Sequence, residues 1–268
     1  MKPTLVIYGA AGRMGRRILA LAGEEQDFQI VGAVDHPSHP DLGKDAGLLA
    51  GISTLGVKLD SQFPQKASVA IDFSLPQAVA QMIDWCQKTG AALVMGTTGL
   101  EKAQMEMLQT AAKKIAIVQA TNMSLGMNLL FSMVGKVAAA LGPDYDIEII
   151  EAHHRHKKDA PSGSALSLAK SICGGTGRDY PDCLVYGRQG KDVPRRTGTI
   201  GMHAIRAGDI VGQHSVIYSA PGETITISHD AHSRDTFARG ALRAAGWLLK
   251  QKPGLYTMQH VLGLAERK

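Results

Sequence analysis

Cysteine is scarce in this chain, with Cys86, Cys173 and Cys183 the only three among 268 residues. An odd number at unrelated spacings excludes a disulfide framework and a zinc ribbon, so the three read as structural thiols. Aromatic residues are also few, at 5% of the sequence, and leave little to stack on bases. The net charge of +5 is mild and the basic residues are spread along the chain, so no nucleic-acid partner is expected. Nor does any apolar run approach the roughly 20 residues that span a bilayer. The opening Met1-Lys2-Pro3-Thr4 leads into a short apolar segment that stops at glycines, with no cleavage-like site behind it. A cytoplasmic protein without membrane association is expected. Internal repeats and low-complexity tracts are absent. What remains is 44% hydrophobic and 20% charged, in a length that suits one large domain or two modest ones.

Against that plain background one segment stands out. Glu151-Ala-His-His-Arg-His-Lys-Lys-Asp-Ala-Pro-Ser-Gly-Ser-Ala165 sets three histidines and three cationic side chains directly ahead of a small-residue loop. Histidine exchanges protons near neutral pH, and lysine and arginine hold fixed positive charge. Pro161-Ser162-Gly163-Ser164 can aim backbone N–H groups at a carboxylate where a helix begins. The cluster therefore suits a small, multiply anionic substrate, although spacing alone fits a solvated cationic face equally well. A metal is not expected. His154 and His156 could ligate together only from an extended strand, and no cysteine and few carboxylates lie close by.

The N-terminal quarter carries a second signal. Thr4-Leu-Val-Ile-Tyr8 reads as a buried strand, Gly9-Ala-Ala-Gly12-Arg-Met-Gly15 as a glycine turn, and the residues after it continue at helical spacing. The G-x-x-G-x-x-G spacing is a relative of the dinucleotide fingerprint, in which glycines let a pyrophosphate approach a helix N-terminus. A second strand, Phe28 to Val34, ends in Asp35, an acid placed to accept from an adenosine ribose. That carboxylate points toward NAD. His36 follows it, and Arg13, Arg16 and Arg17 are near enough in sequence to leave NADP in play.

Further strand and helix units follow. Ser68–Phe73, Ala91–Met95 and Ile115–Gln119 read as strands. The last two run into the small polar loops Gly96-Thr97-Thr98-Gly99 and Ala120-Thr-Asn-Met123, which are either ligand contacts or simple turns. A helix is predicted from Leu125 to Leu141, a strand at Asp146–Ile150, and a helix from about Ser164 to Ile172. Beyond Gly174 a long loop is expected, then three strands beginning at Thr199, His214 and Glu223, a helix from Arg234 to Lys250 and a last short one at Val261-Leu262. The fold class is α/β, a Rossmann-type doubly wound parallel sheet plus an α+β domain with a mixed, largely antiparallel sheet. The expected division is a dinucleotide-binding domain over 1–123, rejoined by 234–268, with a substrate domain over 124–233.

Gly9-Ala-Ala-Gly-Arg-Met-Gly15, Gly96-Thr-Thr-Gly99, Glu151-Ala-His-His-Arg-His-Lys157 with Asp159-Ala-Pro-Ser-Gly163, and Arg206-Ala-Gly-Asp-Ile-Val-Gly212 together resemble the dihydrodipicolinate reductases of bacterial lysine and diaminopimelate synthesis. The resemblance covers nearly the whole chain, and its central motif is long and unusual in composition. It implies NAD(P)H-dependent reduction of 4-hydroxy-tetrahydrodipicolinate, a cyclic dicarboxylate, to tetrahydrodipicolinate with loss of water. It also implies a homotetramer built through the second domain. By position, His153 corresponds to a proton donor or acceptor and Lys157 to a proton donor, while His154, Gly163 and Ser164 correspond to substrate contacts. For the cofactor the similarity implies Gly9, Ala10, Ala11, Gly12, Arg13 and Met14 at the pyrophosphate, and Asp35 and His36 at the ribose. Gly96, Thr97 and Thr98 fall at the nicotinamide end, and Ala120, Thr121, Asn122 and Met123 in the neighbouring loop. Some members carry an arginine where this chain has His36, so NADH is the expected cofactor and NADPH the alternative. Two rivals stay open: another Rossmann oxidoreductase acting on an amino or imino dicarboxylate, such as an aspartate dehydrogenase, and a non-catalytic dinucleotide sensor.

Overall fold

Short runs of Val, Ile and Leu alternate with helical spacing through the first 120 residues, and the computed structural model, which describes residues 1–265, folds them accordingly. In order come β1 (Thr4–Tyr8), α1 (Arg13–Glu25), β2 (Gln29–Val34), the single turn α2 (Ala46–Leu49), β3 (Leu59–Asp60), β4 (Val69–Asp72), α3 (Val79–Thr89), β5 (Ala92–Met95), α4 (Lys102–Ala111) and β6 (Ala116–Gln119). β4 and β5 are buried along their whole length, which is why they read as continuous apolar runs: a parallel strand covered on both faces has no solvent side. The pleat of β1 divides its side chains between two cores. Leu5 and Ile7 pack with Ile18, Leu19 and Leu242, whereas Val6 and Tyr8 pack with Met82, Leu93 and Ile117 on the other face.

The chain continues through α5 (Leu125–Leu141), β7 (Asp146–His153), α6 (Gly163–Thr176), β8 (Leu184–Tyr186), β9 (Ile200–Arg206), β10 (Gly212–Ala220) and β11 (Glu223–Ala231). These strands form a mixed sheet in the order β11-β10-β7-β9-β8. β10 is antiparallel to both β11 and β7, and β9 is parallel to both β7 and β8. Short connections therefore make a hairpin only at β10–β11; β9 and β10 do not pair with each other because β7 lies between them. Tyr218 of β10 is fully buried and donates its hydroxyl to the Val134 carbonyl of α5 at 2.7 Å.

α6 runs four residues past the expected end at Ile172, straight through Gly174-Gly175. A Cβ on Gly175 would lie 2.4 Å from the Gly135 carbonyl oxygen of α5. The helix cost of glycine, about 1 kcal/mol, is offset by that close approach of two helices. β8 occupies the stretch expected to be loop, since three residues at a sheet edge are too short for alternation to register. The structure also brings two cysteines of unrelated spacing together, with Cys173 Sγ 3.2 Å from Cys183 Sγ. Both are free thiols, and burial pushes the Cys173 thiol up to about 12.

α7 (Asp235–Leu248), β12 (Gly254–Tyr256) and α8 (Met258–Val261) return the chain to the first sheet. That sheet has the order β12-β6-β5-β4-β1-β2-β3 with every pairing parallel, a Rossmann-type doubly wound arrangement whose direction of winding reverses at β1. Two compact units result, one of Met1–Leu125 with Arg234–Lys268 and one of Gly126–Ser233. Residues 266–268, the end of the expected returning segment, lie outside the described residues. No helix among the described residues is long and apolar enough to cross a membrane.

Candidate active site

In the first unit, the turn after β1 depends on what its glycines lack. Gly9 has φ +73°, and a Cβ there would meet the Phe73 carbonyl oxygen at 2.7 Å; one on Gly15 would meet the Gly9 carbonyl oxygen at 2.1 Å. The backbone can thus fold onto itself as α1 begins. Gly9 and Ala10 both donate their N–H groups to the Val34 carbonyl, at 3.0 and 3.1 Å. Asp35, just past β2, accepts from the Ala11 N–H through Oδ2 and from the His36 N–H through Oδ1, each at 2.8 Å. Turn and acid are therefore one assembly. The N-cap of α1 is Gly12, with no capping side chain and no acid in the first turn. That leaves the helix N-terminus to an anion from elsewhere. Of the three arginines, Arg17 is held by both oxygens of Asp235 at 2.6 and 2.8 Å. Arg16 donates to the Ala11 carbonyl at 2.8 Å, and Arg13 is exposed.

The two polar loops follow β5 and β6. Thr97 is buried and its hydroxyl donates to Asp72 Oδ1 at 3.0 Å, beside the Ser74 N–H at 2.8 Å. Thr97 therefore turns its side chain inward, leaving Thr98 exposed. Burial pushes the Asp72 carboxyl up. In the other loop Asn122 Oδ1 accepts from the Ser124 N–H at 2.9 Å, Met123 is buried and Thr121 is exposed; Ala120 donates its N–H to the Met95 carbonyl at 3.2 Å. Gly9 to Met14, Asp35 with His36, Gly96 to Thr98 and Ala120 to Met123 thus follow β1, β2, β5 and β6. In a parallel sheet these carboxyl ends form a single edge.

In the second unit, β7 extends to His153, three residues beyond the apolar alternation. The alternation had not ended: Glu151 takes the next inward position after Ile147 and Ile149, and is 1% exposed. A buried carboxylate needs partners. Glu151 receives the Arg206 Nη1 and Nη2 groups at 2.9 and 2.8 Å, the Ser162 N–H at 3.0 Å and His153 Nδ1 at 2.5 Å. Burial opposes its charge, but those donors outweigh it and hold the carboxyl below its ordinary range. His153 is pushed down by burial, against the opposing pull of Glu151 and with the help of the Lys157 and Arg206 charges.

The residues after His153 form a turn in which the Lys157 N–H meets the His154 carbonyl at 3.1 Å, and Lys157 Nζ lies 2.9 Å from Asp159 Oδ1. Ser162 then caps α6, its hydroxyl accepting from the Ala165 N–H at 3.2 Å and pairing with His214 Nε2 at 3.1 Å. His214 is 4% exposed, and burial pushes its imidazole down to about 4. Gly163 and Ser164 open the helix itself. His153, His154, Lys157, Gly163 and Ser164 accordingly lie on one strand–turn–helix.

Sequence reasoning assigned no individual role to Glu151, Ser162, Arg206 or His214. A serine three residues before Ala165 at a helix start is a readable cap signal, and Glu151 and Arg206 stand inside the motifs that carry the family resemblance. His214, a lone histidine on a strand, gave no signal.

Residues 4–123 match the family described as dihydrodipicolinate reductase, N-terminus, and residues 126–262 the family described as dihydrodipicolinate reductase, C-terminus. The chain is 49% identical over 267 residues to the 4-hydroxy-tetrahydrodipicolinate reductase of Alkalilimnicola ehrlichii, covering 98% of this chain and 100% of that one. It is 44% identical over 261 residues to the enzyme of the same name from Halorhodospira halophila, covering 96% and 98%. Among solved structures, a dipicolinate-bound dihydrodipicolinate reductase from Paenisporosarcina sp. TG-14 shares the fold, with a TM-score of 0.72 at 22% identity over 96% of this chain and 98% of that one. Matched in both halves, and this similar to relatives over nearly its full length, the chain belongs to the dihydrodipicolinate reductase family.

Proposed function

We propose that this protein reduces 4-hydroxy-tetrahydrodipicolinate to tetrahydrodipicolinate, consuming one hydride and one proton and releasing water. The observation that carries the reading is the strand–turn–helix from His153 to Ser164, where His153 and Lys157 precede a helix start suited to a carboxylate. The names of the curated relatives supply the substrate. Gly163 and Ser164 bind a substrate carboxylate with backbone N–H groups and the Ser164 hydroxyl, and His154 adds a further contact. Lys157 supplies a positive charge and a proton where negative charge develops, and His153 gives or takes a proton.

A reduced pyridine nucleotide supplies the hydride when bound. The uncapped, acid-free start of α1 and the glycines that admit no Cβ fit its pyrophosphate. Gly9 to Met14 would hold that group, Asp35 and His36 the ribose, and Gly96 to Thr98 with Ala120 to Met123 the nicotinamide end. NADH is the preferred cofactor: the Asp35 carboxylate would repel a 2′-phosphate, and Arg17 is committed to Asp235. The enzyme works in the cytoplasm as a homotetramer assembled through the second unit, whose edge strand β11 presents mostly exposed residues; light scattering on the eluted protein checks the mass.

The deciding experiment is a coupled assay with enzymatically generated substrate, following oxidation of NADH and of NADPH. Substrate-dependent oxidation with a higher kcat/KM for NADH is expected. An advantage of about tenfold for NADPH overturns the cofactor assignment. Turnover only with amino or imino dicarboxylates overturns the substrate, and binding without consumption overturns catalysis.

A further inference from the structure

The motif Arg206-Ala-Gly-Asp-Ile-Val-Gly212 has no part in the reaction proposed above. It joins β9 to β10, the two strands that flank β7, and its two ends meet His153. Arg206 is the register partner of His153 across β7 and β9. Ala207 donates its N–H to the His153 carbonyl at 3.0 Å, and Arg155 donates its own to the Gly208 carbonyl at 3.1 Å. The Arg206 guanidinium grips Glu151 by both oxygens and also donates to the Asp159 carbonyl at 2.6 Å. At the far end, a Cβ built on Gly212 would stand 3.2 Å from His153 Nε2 and 3.5 Å from Cδ2.

An ionised carboxylate only accepts, with about four lone-pair sites on its two oxygens. Those of Glu151 serve Arg206 twice, Ser162 once and His153 once. A neutral imidazole beside it must therefore carry its hydrogen on Nδ1, which leaves the Nε2 lone pair for chemistry. Nε2 is the ring atom nearest the position a side chain at 212 would fill.

We propose that Glu151, Arg206 and Gly212 are positioning residues for His153: the first two fix its tautomer and ring orientation, and the third keeps Nε2 uncovered. This rests on the reading of His153 as a proton-transfer group. The charged and titratable groups facing that ring are Glu151 on its own strand, Arg206 from β9, His214 from β10 with ring centroids 5.2 Å apart, and Lys157 from the turn. Glu151 is the anion among them. Glu151→Gln removes the charge that favours the imidazolium and leaves the cations, so ionisation of His153 moves to lower pH.

The test combines kinetics across pH with ¹H–¹⁵N correlation spectra of the full-length, histidine-labelled protein. Wild-type His153 is expected to be protonated on Nδ1 when neutral. In Glu151→Gln the tautomers mix, and kcat falls on the order of 100-fold, while KM for the dicarboxylate stays within about threefold. The His153 limb of the pH–rate profile moves down, and Glu151→Asp recovers part of the rate. Gly212→Ala lowers kcat about tenfold with the tautomer unchanged. Where Glu151→Gln does not fold, Arg206→Lys, which keeps the charge but loses the paired hydrogen bonds, leaves Glu151 an acceptor and so keeps the Nδ1 tautomer, and is expected to lower kcat about tenfold by loosening the carboxylate that orients the ring. A wild-type His153 protonated on Nε2, an unmoved pH limb in Glu151→Gln, or an Arg206→Lys kcat like the wild type overturns the proposal. Failure of the underlying reading is distinguishable: His153→Asn then retains turnover although the tautomer behaves as expected.

Discussion

Two helices in this protein, α1 after β1 and α6 after β7, have the N-termini to which the proposed function assigns anions, and they are finished in opposite ways. α1 has a glycine cap, no capping side chain and no acid in its first turn. α6 is capped by the Ser162 hydroxyl, which pairs with buried His214, while the Ser162 N–H is held by Glu151. The first start is defined by atoms that must be missing, since a Cβ on Gly9 or Gly15 collides with backbone. The second depends on which side chains carry charge. A bare helix end suffices for a ligand that brings its own phosphates, whereas a site that also moves protons must tie its anion contacts to titratable groups.

The sharpest test of that contrast lies in the second region. If Lys157 acts as proposed, Lys157→Ala should lower kcat by about 100- to 1,000-fold in steady-state assays, because it would remove a proton source and a cation near a developing anion. Turnover within about twofold of wild type would reduce the second region to a binding site like the first. For the glycine turn, Gly15→Ala places a methyl 2.1 Å from the Gly9 carbonyl oxygen. The turn must shift, and the Kd for NADH measured by calorimetry should rise by about tenfold or more. Unchanged affinity would show that the tight turn is dispensable for binding.

The same contrast explains which parts were legible in the sequence. The turn of the first unit was readable because its requirement is written in one residue type at fixed spacing, and β1, β4, β5 and β6 because burial on both faces leaves continuous apolar runs. In the second unit the pattern carried β7 only to Ile150, since the next inward residue is a buried acid whose partners come from 162 and 206. That Ser162 and Arg206 both bond Glu151 became visible only once β9 lay beside β7 and the loop before α6 had closed. Likewise, Gly174-Gly175 reads as a helix stop until α5 is known to pack against it. Local chemistry was legible, and long-range pairing of polar groups was not.

Acid should separate the two units. His214 ionises near 4 in the folded protein against an ordinary 6.5, so between those values the unfolded chain binds more protons and the second unit loses stability as pH falls. Glu148 is held down to about 2, despite its burial, by Arg188, His203 and Arg195, and Glu151 is also depressed. Their contributions are present above about 4.5 and are lost below it. Asp72 in the first unit has the opposite sign: its carboxyl is raised by burial, so the folded state binds the extra proton and acidification relieves a penalty. Hydrogen exchange at roughly pH 4.5 and 7, corrected for intrinsic rates, should show about a tenfold loss of protection in β7 and β10 and none in β4 and β5. Equal losses in both units would break the comparison.

The smallest effect probes the division of labour inside the second site. Ser164 occupies the second position of α6, where its backbone N–H belongs to the helix start whatever the side chain. Ser164→Ala removes the hydroxyl and keeps the backbone N–H in place at the helix start. KM for the dicarboxylate should rise about three- to tenfold, with kcat within about twofold, because a hydrogen bond that is equally strong in the ground and transition states governs binding and not turnover. If instead kcat falls while KM holds, the hydroxyl acts on the transition state. The α6 start would then contribute to the chemistry as well as to the grip, and its likeness to α1 would end at the backbone.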